Sequence, residues 1–299
     1  MIKIPINNTD NENRFVDLHI HTNYSDGIYS PAEIVQFAKK VGLSAIAITD
    51  HDMTDGISPA IEEGKKHGIE VIPGVEFSCD STEKLGGEMH ILGYFSDWNG
   101  SKLQEELKAF REFRVLRAQE MIKKLSKLNV LVDEAEVLKN SSNIAIGRMH
   151  LARHMVDEGL AYNLKECFDK YLGHGKPAYF PKRKVNSADL IELILKSGGV
   201  PVIAHPALGA DDFEVVKDMK EHGLIGIEVY ALRNTKDAVE KYLQWAKELD
   251  LIVTGGSDFH YSENSKSGIL GVMKVKYEIV EVLKEKIKRK KENNLTAVD

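Results

Sequence analysis

The sequence predicts an α/β barrel that carries a small helical insertion. Short apolar runs recur seven times with helical patterns between them, which favours a barrel over an open sheet. Between about residues 101 and 179 this rhythm stops, and the chain reads as charged and helical with no convincing strand. His, Asp and Glu residues gather where the apolar runs end, the position at which parallel α/β architectures build active sites. The expected division is a barrel domain from residues 1–100 and 180–299, with residues 101–179 as a helical insertion or cap packed on it.

Taken in order, residues 1–13 read as a flexible arm, and Phe15–Ile20 is the first expected strand. Ser30-Pro31-Ala32-Glu33 opens a helix with Ser at the cap and Pro in the first turn; it runs to about Val41 and stops at Gly42. Ala45–Ile48 is a short apolar run, expected as a strand buried on both faces, and it ends in Thr49-Asp50-His51-Asp52. A helix over Ser58–His67 stops at Gly68. Ile69–Ile72 is the third strand, followed by Pro73-Gly74-Val75-Glu76-Phe77. After a break at Gly86-Gly87, a strand-like run begins at His90.

In the helical stretch, Leu103, Leu107, Phe110, Phe113, Arg114, Leu116, Met121, Leu125 and Leu128 give the near-helical spacing of one long helix. Shorter helices follow at Asp133–Lys139, Arg148–Glu158 and Leu164–Tyr171. The alternation resumes with helices at Ala188–Lys196, Asp211–His222 and Lys236–Leu249. Between them lie strands at Val200–Ala204, Ile225–Tyr230 and Leu251–Thr254, and a last helix spans Ile279–Lys291. Its lysine-rich stretch from Lys284 reads as a solvated helix end rather than an RNA tether.

Composition narrows the function classes. The 299 residues are 42% hydrophobic, enough for a sizeable core. Forty basic against 46 acidic residues leave a net charge of -6, which argues against broad capture of duplex nucleic acid and leaves room for a local basic pocket. Cys79 and Cys167 are the only cysteines and make no disulfide framework, so a reducing cytoplasm is expected. The polar N-terminus lacks the apolar region of a signal peptide, and no apolar run is long enough to span a bilayer.

The chemistry centres on His19-Ile20-His21. On a strand, residues i and i+2 share a face, so the two imidazoles form a ready pair of metal ligands, or a hydrogen-bonded pair near a loop. Asp26, in a Ser-Asp-Gly turn, returns a carboxylate toward the same place. His51 and Glu76 follow the second and third strands, and His205, Asp258 and His260 follow later ones. Zinc ordinarily takes four ligands, so this many donors at one rim imply two or three divalent ions, with Glu76 bridging two of them. His90 begins its run instead of ending it, so its strand is antiparallel or His90 lies in the preceding loop.

His19-x-His21, Asp26-Gly27, Thr49-Asp50-His51-Asp52, Pro73-Gly74-Val75-Glu76, His90, Ala204-His205-Pro206 and Ser257-Asp258-x-His260 resemble, in order, the motifs of the PHP (polymerase and histidinol phosphatase) superfamily. The resemblance implies a distorted seven-stranded β/α barrel and a metal-dependent phosphoesterase. It covers nearly the whole chain, and no motif position departs from the pattern. Gly147-Arg148-x-His150, Tyr171-Leu172-x-x-Gly175-Lys176-x-x-Tyr179 and Gly198-Gly199-Val200-Pro201-Val202 resemble a narrower bacterial group, the RNase AM-like 3′,5′-nucleoside bisphosphate phosphatases, some of which are also 5′-to-3′ RNA exonucleases. Carried over by position, the resemblance gives three ion sites: His19, His21, Glu76 and Asp258; Glu76, His90 and His205; and Asp26, His51 and His260.

In the reaction so implied, bridging manganese, zinc or iron ions neutralise an anionic ester and lower the pKa of a bound water, which supplies hydroxide for in-line attack. Asp50 and Asp52 are expected to orient His51, or else to cap the following turn. Arg148 and Lys176 are the candidates to bind a second phosphate, against the alternative of solvated surface cations. His150 and His154 have metal-binding spacing but are surplus to a full cluster, and Cys79 reads as a small buried residue. The expected activity is removal of the 3′-phosphate from nucleoside 3′,5′-bisphosphates, together with trimming of short RNA. The alternatives are a histidinol-phosphate-type phosphatase and a metal-stabilised binding module without hydrolysis. No membrane and no stable protein partner are implied.

Overall fold

The computed structural model describes residues 14–80, 88–139, 141–260 and 269–296. The expected arm over 1–13 and the Gly86-Gly87 break lie outside the described residues. Eight strands form one nearly closed, barrel-shaped sheet: β1 (Phe15–Asp17), β2 (Leu43–Ile48), β3 (Glu70–Asp80), β4 (Glu88–Tyr94), β5 (Val200–Ile203), β6 (Gly226–Ala231), β7 (Ile252–Gly256) and β8 (Val275–Lys276). Their order is β7-β6-β5-β4-β3-β2-β1-β8. β1, β2 and β3 are mutually parallel, as are β5, β6 and β7; β4 is antiparallel to both its neighbours, and β8 to β1. This settles His90, the third residue of antiparallel β4.

The chain beyond β1 closes the ring against the chain around β7. Leu18 N donates to Gly255 O at 3.2 Å, Phe259 N to His19 O at 3.3 Å and His21 N to Phe259 O at 3.0 Å. Gly256 is needed for this approach: a Cβ there would lie 2.4 Å from the His19 nitrogen. The fold is thus the expected barrel, with three local differences. β1 is regular only to Asp17, because beyond it the backbone bonds are shared with the β7 side. β3 continues through Pro73 to Asp80, since Pro73 falls where the strand exchanges its parallel partner β2 for antiparallel β4, so Glu76 lies inside the strand and not after it. β8 was not expected; two residues carry no readable periodicity.

Helices α1 (Pro31–Lys40) and α2 (Ile57–His67) follow the first strands. α1 starts as expected, with a reciprocal capping box between Ser30 and Glu33. The helical segment holds α3 (Ser101–Ser126), α4 (Glu134–Leu138), α5 (Arg148–Asp157) and α6 (Leu164–Cys167), the last running into a π-helical turn at Phe168–Leu172. α7 (Ser187–Lys196), α8 (Phe213–Glu221), α9 (Lys236–Glu248) and α10 (Glu278–Thr296) complete the chain.

α10 leaves from the amino ends of the strands, where Tyr277 N donates to Arg14 O. There it packs Val280, Leu283 and Ile287 against Val16, Ala45, Ala47, Ile72, Leu92 and Val202. Full burial of Val280 and Leu283 is worth about 1.5–3 kcal/mol each. The carboxyl ends of the strands are left open for the site. α3 serves two cores. Leu103, Leu107 and Phe110 pack with the barrel, whereas Ala118, Met121, Ile122 and Leu125 join Val137, Leu151, Met155, Cys167 and Leu172 in a core of the helical segment. The expected apolar stripe is therefore corrected at two positions. Leu116 and Leu128 are exposed, while Arg117 is buried with its Nε donating to Phe180 O at 2.9 Å.

Asp17 is buried and accepts from Ser257 N at 2.8 Å and Gly271 N at 2.9 Å, tying β1 to the segments that follow β7. Asp17→Ala leaves the amides of His19, Ser257 and Gly271 without their acceptor and should cost about 3 kcal/mol in urea unfolding. A loss below about 1 kcal/mol would mean that the amides find other acceptors and that Asp17 does not hold the closure.

Candidate metal centre

The open rim gathers donors from six strands. His19 and His21 come just after β1, His51 just after β2, Glu76 from β3, His90 from β4, His205 after β5, and Asp258 and His260 after β7. Asp26 comes from the tight turn over residues 22–27. Their common neighbour is the buried Glu76. Its Oε1 lies 2.7 Å from His90 Nδ1, 3.0 Å from His205 Nε2 and 3.4 Å from His19 Nε2. Its Oε2 lies 3.0 Å from His51 Nδ1 and 3.2 Å from His21 Nε2. Asp258 Oδ1 adds contacts of 3.3 Å to His21 and 3.5 Å to His19, and Asp26 Oδ1 lies 3.0 Å from His260 Nε2.

Within 4.8 Å of one another, donor atoms form three sets: His19, His21, Glu76 and Asp258; His21, Asp26, His51 and His260; and His51, Glu76 and His90. His205 Nε2 falls outside these sets but lies 3.0 Å from Glu76 Oε1 and 3.3 Å from His90 Nδ1. All nine donors expected from the sequence are thus brought together, with His21 and His51 each facing two sets. The residues fit divalent ions on a direct test. His19 Nε2, His21 Nε2, His51 Nδ1 and Asp26 Oδ1 are buried and make no hydrogen bond, a costly arrangement for groups that point at one another unless a cation lies between them. Imidazole and carboxylate donors suit zinc, manganese and iron alike.

A second layer of side chains holds these donors, and the sequence reading missed most of it. Glu228 on β6 is buried; its carboxylate lies 3.1 Å from His19 Nδ1 and accepts from His205 N at 2.7 Å. It fixes the His19 ring so that Nε2 faces the cluster. An acid inside the apolar run Ile225–Tyr230 was the available signal. The expectation for Asp50 and Asp52 is corrected. Asp50 accepts from Thr22 N, Thr22 Oγ1 and Ser25 Oγ at 2.6–2.7 Å, and Ser25 Oγ in turn lies 3.3 Å from His21 Nδ1. Asp52 pairs with Arg114 Nε at 2.6 Å. They brace the turn and the helical segment, and among the described residues neither bonds to the His51 ring.

The other sequence candidates belong to none of the donor sets, although His150 bonds to the Ser25 backbone and feels the charge of Asp26. Arg148 stands 5.8 Å from the centres of the Phe168 and Tyr179 rings, and Lys176 is exposed on the turn after the π-helical segment. His150 Nδ1 accepts from Gly147 N, and neither His150 nor His154 belongs to a donor set among the described residues. Cys79 and Cys167 are buried free thiols, and burial pushes both up. Lys284 and Arg289 are paired with Glu70 and Glu285 on the surface.

Over the donors lies a cavity of about 310 Å³, lined by His51, Glu76, His90, His205, Leu208, Arg233, Asp258 and His260. Lys182 enters beside it, with Nζ 2.9 Å from Ser78 Oγ and 3.1 Å from His90 Nε2. A neighbouring cleft is lined by Arg114, Arg117, Lys182 and Arg183 together with Phe110 and Phe113. Basic side chains thus gather in the cleft beside the donors, although the whole chain is acidic.

The family model of the PHP domain matches residues 17–180. The chain belongs to the PHP domain family. It is 36% identical over 251 residues to a 5′-3′ exoribonuclease of Haemophilus influenzae, covering 82% of this chain and 89% of that protein. It is 33% identical over 250 residues to a 3′,5′-nucleoside bisphosphate phosphatase of Chromobacterium violaceum, covering 82% and 87%. Among solved structures, a protein of Bifidobacterium adolescentis provisionally described as a metal-dependent phosphoesterase superposes with a TM-score of 0.83 at 28% identity, over 91% of this chain and 96% of that one. No helix among the described residues is long and apolar enough to cross a membrane.

Charge in this PHP domain is set by mutual pairing. Burial alone would lower His21, but the Asp258 and Glu76 carboxylates beside it raise it to about 10, and Glu228, Glu76 and Asp258 raise His19 well above the imidazole range against the same penalty. Burial would raise Glu76, and the surrounding imidazoles hold it well below the carboxylate range instead. His90 goes the other way, to about 3, through burial and the charge of Lys182, against the pull of Glu76. Without metal, His19 and His21 carry protons at neutral pH, and the stabilisation from His21 is complete below its ordinary value and lost as pH rises through about 10. A divalent ion must displace these protons. Its affinity for the stripped protein should therefore tighten from about pH 6 to about pH 9, with acidification of a weakly buffered solution on loading. Affinity that stays flat over that interval would contradict this charge state.

Proposed function

We propose that this chain is a metal-dependent phosphoesterase that removes the 3′-phosphate of nucleoside 3′,5′-bisphosphates and also trims short 5′-phosphorylated RNA from its 5′ end. The observation that carries the reading is the cluster of donors centred on Glu76 beneath an open cavity, with an adjoining cleft lined by Arg114, Arg117, Lys182 and Arg183. The two relatives whose names state a bisphosphate phosphatase and a 5′-3′ exoribonuclease support the substrate class. Both substrates present a phosphate ester to be cut and a second phosphate on the same nucleotide.

Two or three divalent ions, manganese, zinc or iron, would be held by His19, His21, Asp26, His51, Glu76, His90, His205, Asp258 and His260. When bound, they would neutralise the ester oxygens and bring the pKa of a water toward neutrality. The remaining work falls to this chain's own groups. Glu76 stays ionised among its imidazoles and keeps the donor rings converging. Glu228 holds the proton of His19 on Nδ1, which leaves Nε2 free to donate an electron pair. Lys182 places a positive charge at the cavity edge, where a phosphate oxygen would sit. Arg148 and Lys176 are proposed for the second phosphate, Arg148 through a bidentate fork. The helical segment of residues 101–179 would thus supply specificity, and residues 1–100 with 180–299 the barrel. Two free buried thiols favour a reducing cytoplasmic setting.

The test is phosphate release from adenosine 3′,5′-bisphosphate, 3′-AMP, 5′-AMP and histidinol phosphate, with manganese, zinc or iron added back to stripped protein. Turnover of the bisphosphate should exceed that of each monophosphate, and chelation should abolish it. Preference for histidinol phosphate would favour the single-phosphate alternative, and bound metal without any turnover would favour a binding module. In the same assay Arg148→Ala should raise KM for the bisphosphate by roughly 10-fold or more, the value of one charge-assisted contact, with a smaller effect on 3′-AMP. Equal effects on the two substrates would place Arg148 outside the second-phosphate site.

A further inference from the structure

The three donor sets are not supported alike. His19 and His205 are braced by Glu228, and Asp258 follows directly on β7, so the set around His19 is built by the barrel itself. The set that includes Asp26 depends on the turn over residues 22–27, which is gripped from two sides. From the barrel, Asp50 holds Thr22 and Ser25. From the helical segment, Arg153 on α5 donates through Nη2 to Asp26 O at 2.7 Å and through Nη1 to Gly27 O at 3.4 Å, and Ala145 N donates to Tyr24 O at 2.9 Å. The turn has little slack of its own, since a Cβ at Gly27 would meet His21 O at 2.5 Å.

We infer that Arg153 is a positioning residue for the divalent ion facing Asp26, His51 and His260, so that this ion is held only while the helical segment is seated on the barrel. The inference rests on the metal reading above and adds a hierarchy to it. Ions around His19 and Glu76 are retained by the barrel alone, whereas the ion at Asp26 needs a contact from outside it. Arg153 bonds to the two carbonyls and makes no ion pair with the Asp26 carboxylate, so it fixes the path of the backbone that carries this donor, and its charge also acts on that carboxylate. A guanidinium spanning two carbonyls fixes that path, whereas a lysine can reach one of them.

The measurement is bound metal per chain by elemental analysis of full-length protein equilibrated with manganese or zinc, together with ion affinity by titration and unfolding in urea. Asp26→Ala sets the reference for loss of this one ion. Arg153→Ala should match it, losing one equivalent relative to wild type while the others stay bound. Arg153→Lys should keep the ion with affinity lowered by roughly 10-fold, in the range seen for groups that orient ligands. Wild-type stoichiometry and affinity in Arg153→Ala would overturn the inference and leave the metal reading intact. Loss of every ion from a folded Arg153→Ala would overturn the hierarchy. If Arg153→Ala does not fold, Arg153→Lys decides: unchanged affinity overturns the inference, and selective weakening of one ion supports it. Wild-type protein that binds no ion would remove the metal reading itself, and this inference with it.

Discussion

One buried carboxylate constrains the architecture of the rim. Glu76 is about 1% exposed, and five imidazole nitrogens lie within 3.4 Å of its two oxygens. An isolated ionised carboxylate in such a place would cost many kcal/mol, so the site exists only if positive charge converges on it. The barrel makes that possible, because strands distant in sequence end at one rim. The antiparallel β4 matters here: it runs against its neighbours and so presents His90 from near its start, beside the ends of parallel strands. Removing the carboxylate would take away the group that all five rings contact.

Around this centre the positioning groups divide between two bodies of structure. Glu228 and Asp17 belong to the barrel and fix the histidines after β1 and β5. Arg153 and Arg114 belong to the helical segment and reach the turns that carry Asp26 and follow His51. α3 links the two, with its first half in the barrel core and its second half in the segment's own core. The segment therefore contacts the turns that carry Asp26 and follow His51. The same segment brings two of the four basic side chains that line the neighbouring cleft, Arg114 and Arg117, which gives an acidic chain a local concentration of positive charge.

Much of this was legible in the sequence. The His-x-His pair, Asp26, His51, His90, His205 and the Asp258-x-His260 pair sit at ends of apolar runs or in turns, where a polar residue has no packing reason to be, and the structure brings them together. The helix boundaries followed from local chemistry, such as Ser30 with Pro31 and the left-handed Gly68. What was hidden depends on tertiary partners. Glu228 and Asp17 lie within strands and bond to backbone groups contributed from elsewhere, and Arg153 looks like any helix-face cation until its two carbonyl acceptors are placed beside it. Leu116 lies outside the buried face it was expected to join, and the neighbouring Arg117 is buried instead, its Nε donating to Phe180 O on a segment distant in sequence. Pro73 suggested an end to β3, yet it marks only a change of partner strand.

The central claim is that Glu76 lies at the middle of a group of divalent ions. Anomalous diffraction from crystals grown with manganese or zinc tests it most directly. Separate peaks are expected on either side of the Glu76 carboxylate, one facing His19, His21 and Asp258 and another facing His90 and His205. Peaks confined to other parts of the molecule, or loaded crystals with no anomalous density within coordination distance of Glu76, would contradict it.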